Sequence, residues 1–173
     1  INLSLALAVK RELERRGYLV RMTRCDDRTL SLDRRGKLTG ELGADLFLSI
    51  HHNASPSNPK ATGIETYALT PGGAASTSGG NPGKALAANR FDAASINLAE
   101  RIQTRLVQAT GGPDRGTKYA RFRVLTLAEC PAVLIEAGFI STPSEELAIA
   151  SAARQQRVAR AIAEGVAAYD AWV

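Results

Sequence analysis

Ala44-Asp45-Leu46-Phe47-Leu48-Ser49-Ile50-His51-His52-Asn53 is the stretch from which the fold of this chain can be ordered. Leu46 to Ile50 is an apolar run broken only by Ser49, the composition of a strand buried on both faces of a sheet. It is expected to stop at the two histidines, the only ones in 173 residues, and at the turn-forming Ser55-Pro56-Ser57-Asn58-Pro59. Ligands of open α/β sheets bind beyond the carboxyl ends of strands, which is where His51 stands. Neighbouring side chains on a strand point to opposite faces, so His52 is expected to play a structural or solvent-facing part.

Upstream, Leu3 to Arg16 reads as a helix with Ala6, Val9 and Leu13 on one face and Gly17 as its stop. Tyr18 to Met22 reads as a short strand, and Ser31 as the cap of a second helix that carries Leu32, Leu38 and Leu42. Ile1-Asn2 has neither an initiator Met nor a cap, so residues upstream of Ile1 are expected to be missing. Downstream, Gly63 to Leu69 alternates as a strand. Residues 70–88, rich in Gly, Ala, Ser and Thr, read as a flexible insertion or a lid beside the site.

Asp92 starts the next helix, where Leu98, Ile102 and Leu106 recur every four residues up to Gly111-Gly112. Val124-Leu125 reads as a short strand. Ala132 to Ile135 reads as a second buried strand, ending at Glu136-Ala137-Gly138-Phe139. Thr142-Pro143-Ser144-Glu145 has the cap, the proline and the glutamate of a helix start, and the last helix buries Val158, Ile162, Val166 and Tyr169. This alternation predicts one α/β domain over residues 1–173. Its architecture is three-layer α/β/α around a mixed, mostly parallel central sheet.

Hydrophobic residues make up 45% of the chain and charged ones 23%, ordinary for a globular domain with a full core. No apolar run approaches the ~20 residues of a membrane span, and no signal peptide is visible. The net charge is +5 and the pI about 9.6, which suits a polyanionic neighbour such as nucleic acid or an anionic cell envelope. No Lys/Arg cluster is interleaved with aromatics, so a nucleic-acid partner is not expected and the charge is read as spread over solvated helix faces. Cys25 and Cys130 form no metal knuckle or CxxC motif; they are either a disulfide of an oxidising compartment or two free thiols.

His51 and Glu136 share a setting: each follows an apolar strand and precedes a turn. They meet at one edge of the sheet if those strands are parallel. A neutral imidazole there is a good zinc ligand. A carboxylate there is either a second ligand or the base that deprotonates a metal-bound water. Spacing alone leaves open a structural histidine and a solvated acid, because a catalytic zinc usually takes three protein ligands. Glu65 reads as an exposed acid on an edge strand. A serine or cysteine hydrolase has no support: there is no G-x-S-x-G elbow, and neither cysteine neighbours a histidine. Pro71-Gly72-Gly73 lacks the Lys and Ser/Thr of a phosphate-binding loop.

Taken together, several stretches resemble the zinc-dependent N-acetylmuramoyl-L-alanine amidases of bacterial cell-wall turnover. They are Thr23-Arg24 with Asp27, Leu32 and Arg35, then Ala44 to Ala54, then Arg115-Gly116, and finally Pro131 to Ser141. The resemblance implies a Zn2+ cofactor with His51 as its last protein ligand and Glu136 as the catalytic glutamate. It also implies two further zinc ligands, a histidine and a glutamate, in a motif expected before Ile1. The implied reaction is hydrolysis of the amide between N-acetylmuramic acid and the L-alanine of the stem peptide, in the periplasm or the cell wall of an exporting cell. A peptidoglycan-binding module of the same fold that does not cut is the alternative. The implied partner is peptidoglycan, with room for a regulatory protein, and the chain is expected to be a monomer.

Overall fold

The apolar run forms a strand, but a longer and less buried one than its composition predicts. In the computed structural model, which describes residues 1–173, β1 (Phe47–Asn53) continues through both histidines. It pairs only with β4 (Ala132–Phe139), and within it Ser49 alone is fully buried. An edge strand has a neighbour on one side only, so its apolar side chains are left half-covered. The strand buried on both faces is β4, where every residue except Glu136 is shut off from solvent.

Two further strands complete the sheet. They are β2 (Ile64–Leu69) and β3 (Asp114–Ala120), and the strand order is β1-β4-β2-β3. β1 runs parallel to β4 and β2 parallel to β3, while β2 meets β4 antiparallel. The sheet is therefore mixed and mostly parallel, as expected.

Side chains alternate across the strands and select two helical layers. On one face Ile64, Ala68, Val133, Ile135 and Ala137 pack against α1 (Asn2–Glu14), α3 (Asp92–Thr110) and α6 (Ala152–Asp170). On the other, Leu69, Ala132 and Leu134 meet Val124 and Leu125 of α4 (Arg123–Thr126), on which α2 (Leu32–Glu41) rests. The four-residue spacing of α3 is realised: Leu98, Ile102 and Leu106 are wholly buried, each worth roughly 1.5–3 kcal/mol of burial. Gly111 ends that helix in the left-handed conformation at φ 63°, which glycine adopts without strain. The α3–α6 crossing is close because residue 165 is glycine; a Cβ there would lie 2.7 Å from the Ile102 Cα.

Several expectations are corrected. Tyr18 to Met22 is not a strand: Tyr18 and Val20 pack on the core and Leu19 is exposed, but the segment finds no ladder partner. In α1, Leu5, Ala8, Val9 and Leu13 form the buried stripe, with Ala6 only half-buried. In α2, Leu32 and Leu42 are exposed, and Gly36 and Thr39 face inward instead. A Cβ on Gly36 would meet the Leu127 Cβ at 2.7 Å, so the absence of a side chain is what seats this helix. Val124 and Leu125 belong to helix α4, not to a strand. Thr142 precedes α5 (Pro143–Ala150), but its hydroxyl donates to the Ala61 carbonyl at 2.5 Å and caps nothing. Glu145 likewise accepts the Phe139 and Gly63 amides and closes no capping box.

Candidate active site

Three neighbouring strands bring three ionisable side chains into one row. His51 of β1 is the register partner of Glu136 of β4, and Glu136 is the register partner of Glu65 of β2. Partners in register point to the same face of a sheet, here the face covered by α2 and α4. His51 and Glu136, 85 positions apart in sequence, are thus adjacent in the carboxyl-terminal halves of two parallel strands, which run on past them to Asn53 and Phe139.

Glu136 is half-buried, and its Oε2 is buried without a hydrogen-bond partner. Burial, and then the negative charge of Glu65, push its carboxyl up to about 7. An acid so tuned can both accept and donate a proton near neutrality. His51 places Nε2 3.1 Å from the Ser49 hydroxyl, two residues back on the same face. Burial, and then the Arg35 guanidinium, hold its imidazole below the ordinary value, so it is neutral at pH 7 and suited to metal ligation.

His52 points to the opposite face, as expected, and packs under α1. Its Nδ1 lies 2.7 Å from the Asn2 Oδ1, where an imidazole N–H donates to the amide oxygen. Burial, followed by the charge of Arg154, lowers its pKa to about 4. This histidine faces away from the row formed by His51, Glu136 and Glu65.

Glu65 overturns its sequence reading. β2 is an interior strand, and Glu65 is only 2% exposed. Its Oε1 accepts the Asn53 Nδ2–H and the Tyr67 hydroxyl, both at 2.7 Å. Its Oε2 accepts Arg115 Nε at 2.7 Å and Lys118 Nζ at 2.5 Å. Burial alone raises a carboxyl pKa, but the bonds from Lys118, Arg115 and Tyr67 outweigh it and hold Glu65 below its ordinary value. Glu65 is therefore a fixed anion. Tyr67 is raised in turn, by burial and by Glu65. The sequence signal is a lone acid inside the alternating run 63–69, and its meaning depends on β2 lying inside the sheet.

The donor set does not make a zinc site by itself. His51 is the one imidazole on this face, and nowhere in the structure do three His, Cys, Asp or Glu side chains come together as a metal cluster.

The fold is thus a mixed α/β domain with a histidine and a glutamate in register on adjacent parallel strands. Residues 1–168 match the family model for N-acetylmuramoyl-L-alanine amidase, and the chain belongs to that family. It is 34% identical over 169 residues to N-acetylmuramoyl-L-alanine amidase LytC of Bacillus subtilis, spanning 98% of this chain and 30% of that protein. It is 32% identical over 197 residues to amidase AmiA of Escherichia coli, spanning 99% of this chain and 68% of AmiA. Among solved structures, the catalytic domain of the amidase CwlV from Paenibacillus polymyxa superposes with a TM-score of 0.81 at 32% identity. That match covers 98% of this chain and 82% of the CwlV domain.

Proposed function

We propose that this chain hydrolyses the amide between N-acetylmuramic acid and L-alanine in peptidoglycan, with Glu136 as general base and then general acid. The supporting observation is the placement of Glu136: half-buried, in register with His51, with one buried, unpartnered oxygen and a pKa raised to about 7. In this scheme Glu136 takes a proton from the attacking water and returns it to the leaving amine. Family membership supplies the bond that is cut, and the named relatives are amidases, which disfavours the non-cutting module. A cell-wall substrate supports an exported protein that acts in the periplasm or cell wall. No helix is long and apolar enough to cross a membrane.

Zn2+ is the cofactor that family membership implies, and His51 is the residue we assign to it. A catalytic zinc usually takes three protein ligands, and His51 is the one this reading names among residues 1–173. The proton steps above belong to Glu136 alone.

The test is digestion of purified cell-wall sacculi with zinc supplied, following release of stem peptides with a free L-alanine amino terminus. Glu136→Gln is expected to lower turnover by about 10²-fold or more, the usual worth of a positioned general base, with the fold retained. Near-normal turnover in that variant overturns the assignment.

A further inference from the structure

Glu65 and Glu136 stand side by side on adjacent strands, yet their surroundings are opposite. Cα atoms paired across antiparallel strands lie ~4.5–5.5 Å apart, so the two carboxylates stand next to each other on one face of the sheet. Every donor has gone to Glu65. Asn53, Tyr67, Arg115 and Lys118 saturate its two oxygens, about the number a carboxylate can accept. Glu136 Oε2 has none.

Arg115 and Lys118 both converge on Glu65 Oε2, and each is steadied by a ring. The Arg115 guanidinium lies over Phe139 at 4.9 Å, and the Lys118 ammonium lies 5.9 Å from the Tyr67 ring centre. The carboxylate in register beside Glu65, with a buried oxygen still unpartnered, is Glu136. A base locked in a charge-assisted bond is a poor proton acceptor.

We propose that Glu65 is a positioning residue: it captures Arg115 and Lys118 and so keeps Glu136 free of an ion pair and available to water. This rests on the reading of Glu136 as the general base. Glu65 itself touches no reacting atom; it acts through where the two cations sit.

The test has a structural and a kinetic arm. A crystal structure of the full chain carrying Glu65→Gln is expected to show Lys118 or Arg115 within ion-pair distance of Glu136. In sacculus digestion the same variant is expected to lose at least about tenfold in kcat with KM held within about twofold, because an interaction of the reacting base is lost and not one of substrate binding. Adding Lys118→Met to Glu65→Gln is expected to recover at least about threefold of that kcat, a sign of coupling between the two sites. Both cations remaining beside the substituted side chain, or a double variant no faster than the single, overturns the proposal. So does failure of both variants to fold, which assigns Glu65 to the fold alone. Full turnover in Glu136→Gln defeats the underlying reading instead; a dead Glu136→Gln beside an unaffected Glu65→Gln defeats only this inference.

Discussion

Glu136 should destabilise the metal-free protein at alkaline pH, and replacing it should relieve that cost. Its carboxyl titrates near 7 in the folded chain against an ordinary value of 4.5. Below about 4.5 both folded and unfolded chains hold the proton, and no penalty exists. As pH rises towards 7 the unfolded chain ionises while the folded one resists, so stability declines; above about 7 the loss is complete. At about 1.4 kcal/mol per pKa unit, the rise from 4.5 to about 7 corresponds to an upper bound on the order of 3 kcal/mol. For a domain of this length that is several degrees in Tm. Urea unfolding of the metal-free wild type and of Glu136→Gln at pH 5 and pH 8 checks it. Comparing the two pH dependences cancels whatever the glutamine itself costs. The wild type should lose up to this amount between the two pH values beyond what the variant loses. Parallel pH dependences would refute the claim that Glu136 is an acid held against ionisation in the folded chain.

Gly165→Ala should destabilise by about 1–3 kcal/mol in thermal unfolding, because its methyl would press on the Ile102 backbone at the α3–α6 crossing. Thr142→Val keeps the shape but strands the Ala61 carbonyl; a loss of about 1–3 kcal/mol in the urea midpoint is expected, and no loss would mean the bond contributes nothing. Cys25 is exposed and Cys130 buried, both as free thiols, so a thiol reagent should count one group in the native protein and two in denaturant. A native count of zero without reductant would show that they pair.

The α3 and α6 stripes and strand β4 were legible because each carries an unbroken pattern: four-residue spacing in the helices, a continuous apolar run in the strand. The His51–Glu136 pair was legible for the same reason, since each residue terminates such a run. β3 was not: Asp114-Arg115-Gly116-Thr117-Lys118-Tyr119-Ala120 has no apolar alternation, and it is a strand because β2 offers it a ladder. Tyr18 to Met22 fails for the converse reason, strand-like composition without a partner. α2 misled because small residues, not leucines, make its contact. Residues 70–88 are too irregular to read, yet they are stitched to β3: the Thr77 amide donates to the Tyr119 carbonyl at 2.9 Å, and the Tyr119 amide donates to the Thr77 hydroxyl at 2.8 Å. Glu65 was lost because its meaning depends on strand order, which no local pattern encodes.

The row formed by His51, Glu136 and Glu65 sets different tolerances for growth and shrinkage along the chain. Lengthening the connection between Leu69 and Ala87 leaves every member of the row on its own rung. A single residue inserted between Ala132 and Glu136 turns the glutamate to the far side of the sheet, into the aliphatic layer beneath α3 and α6. Relatives of this domain can therefore differ freely in how far apart these residues fall in sequence, provided that the spacing within each strand stays even.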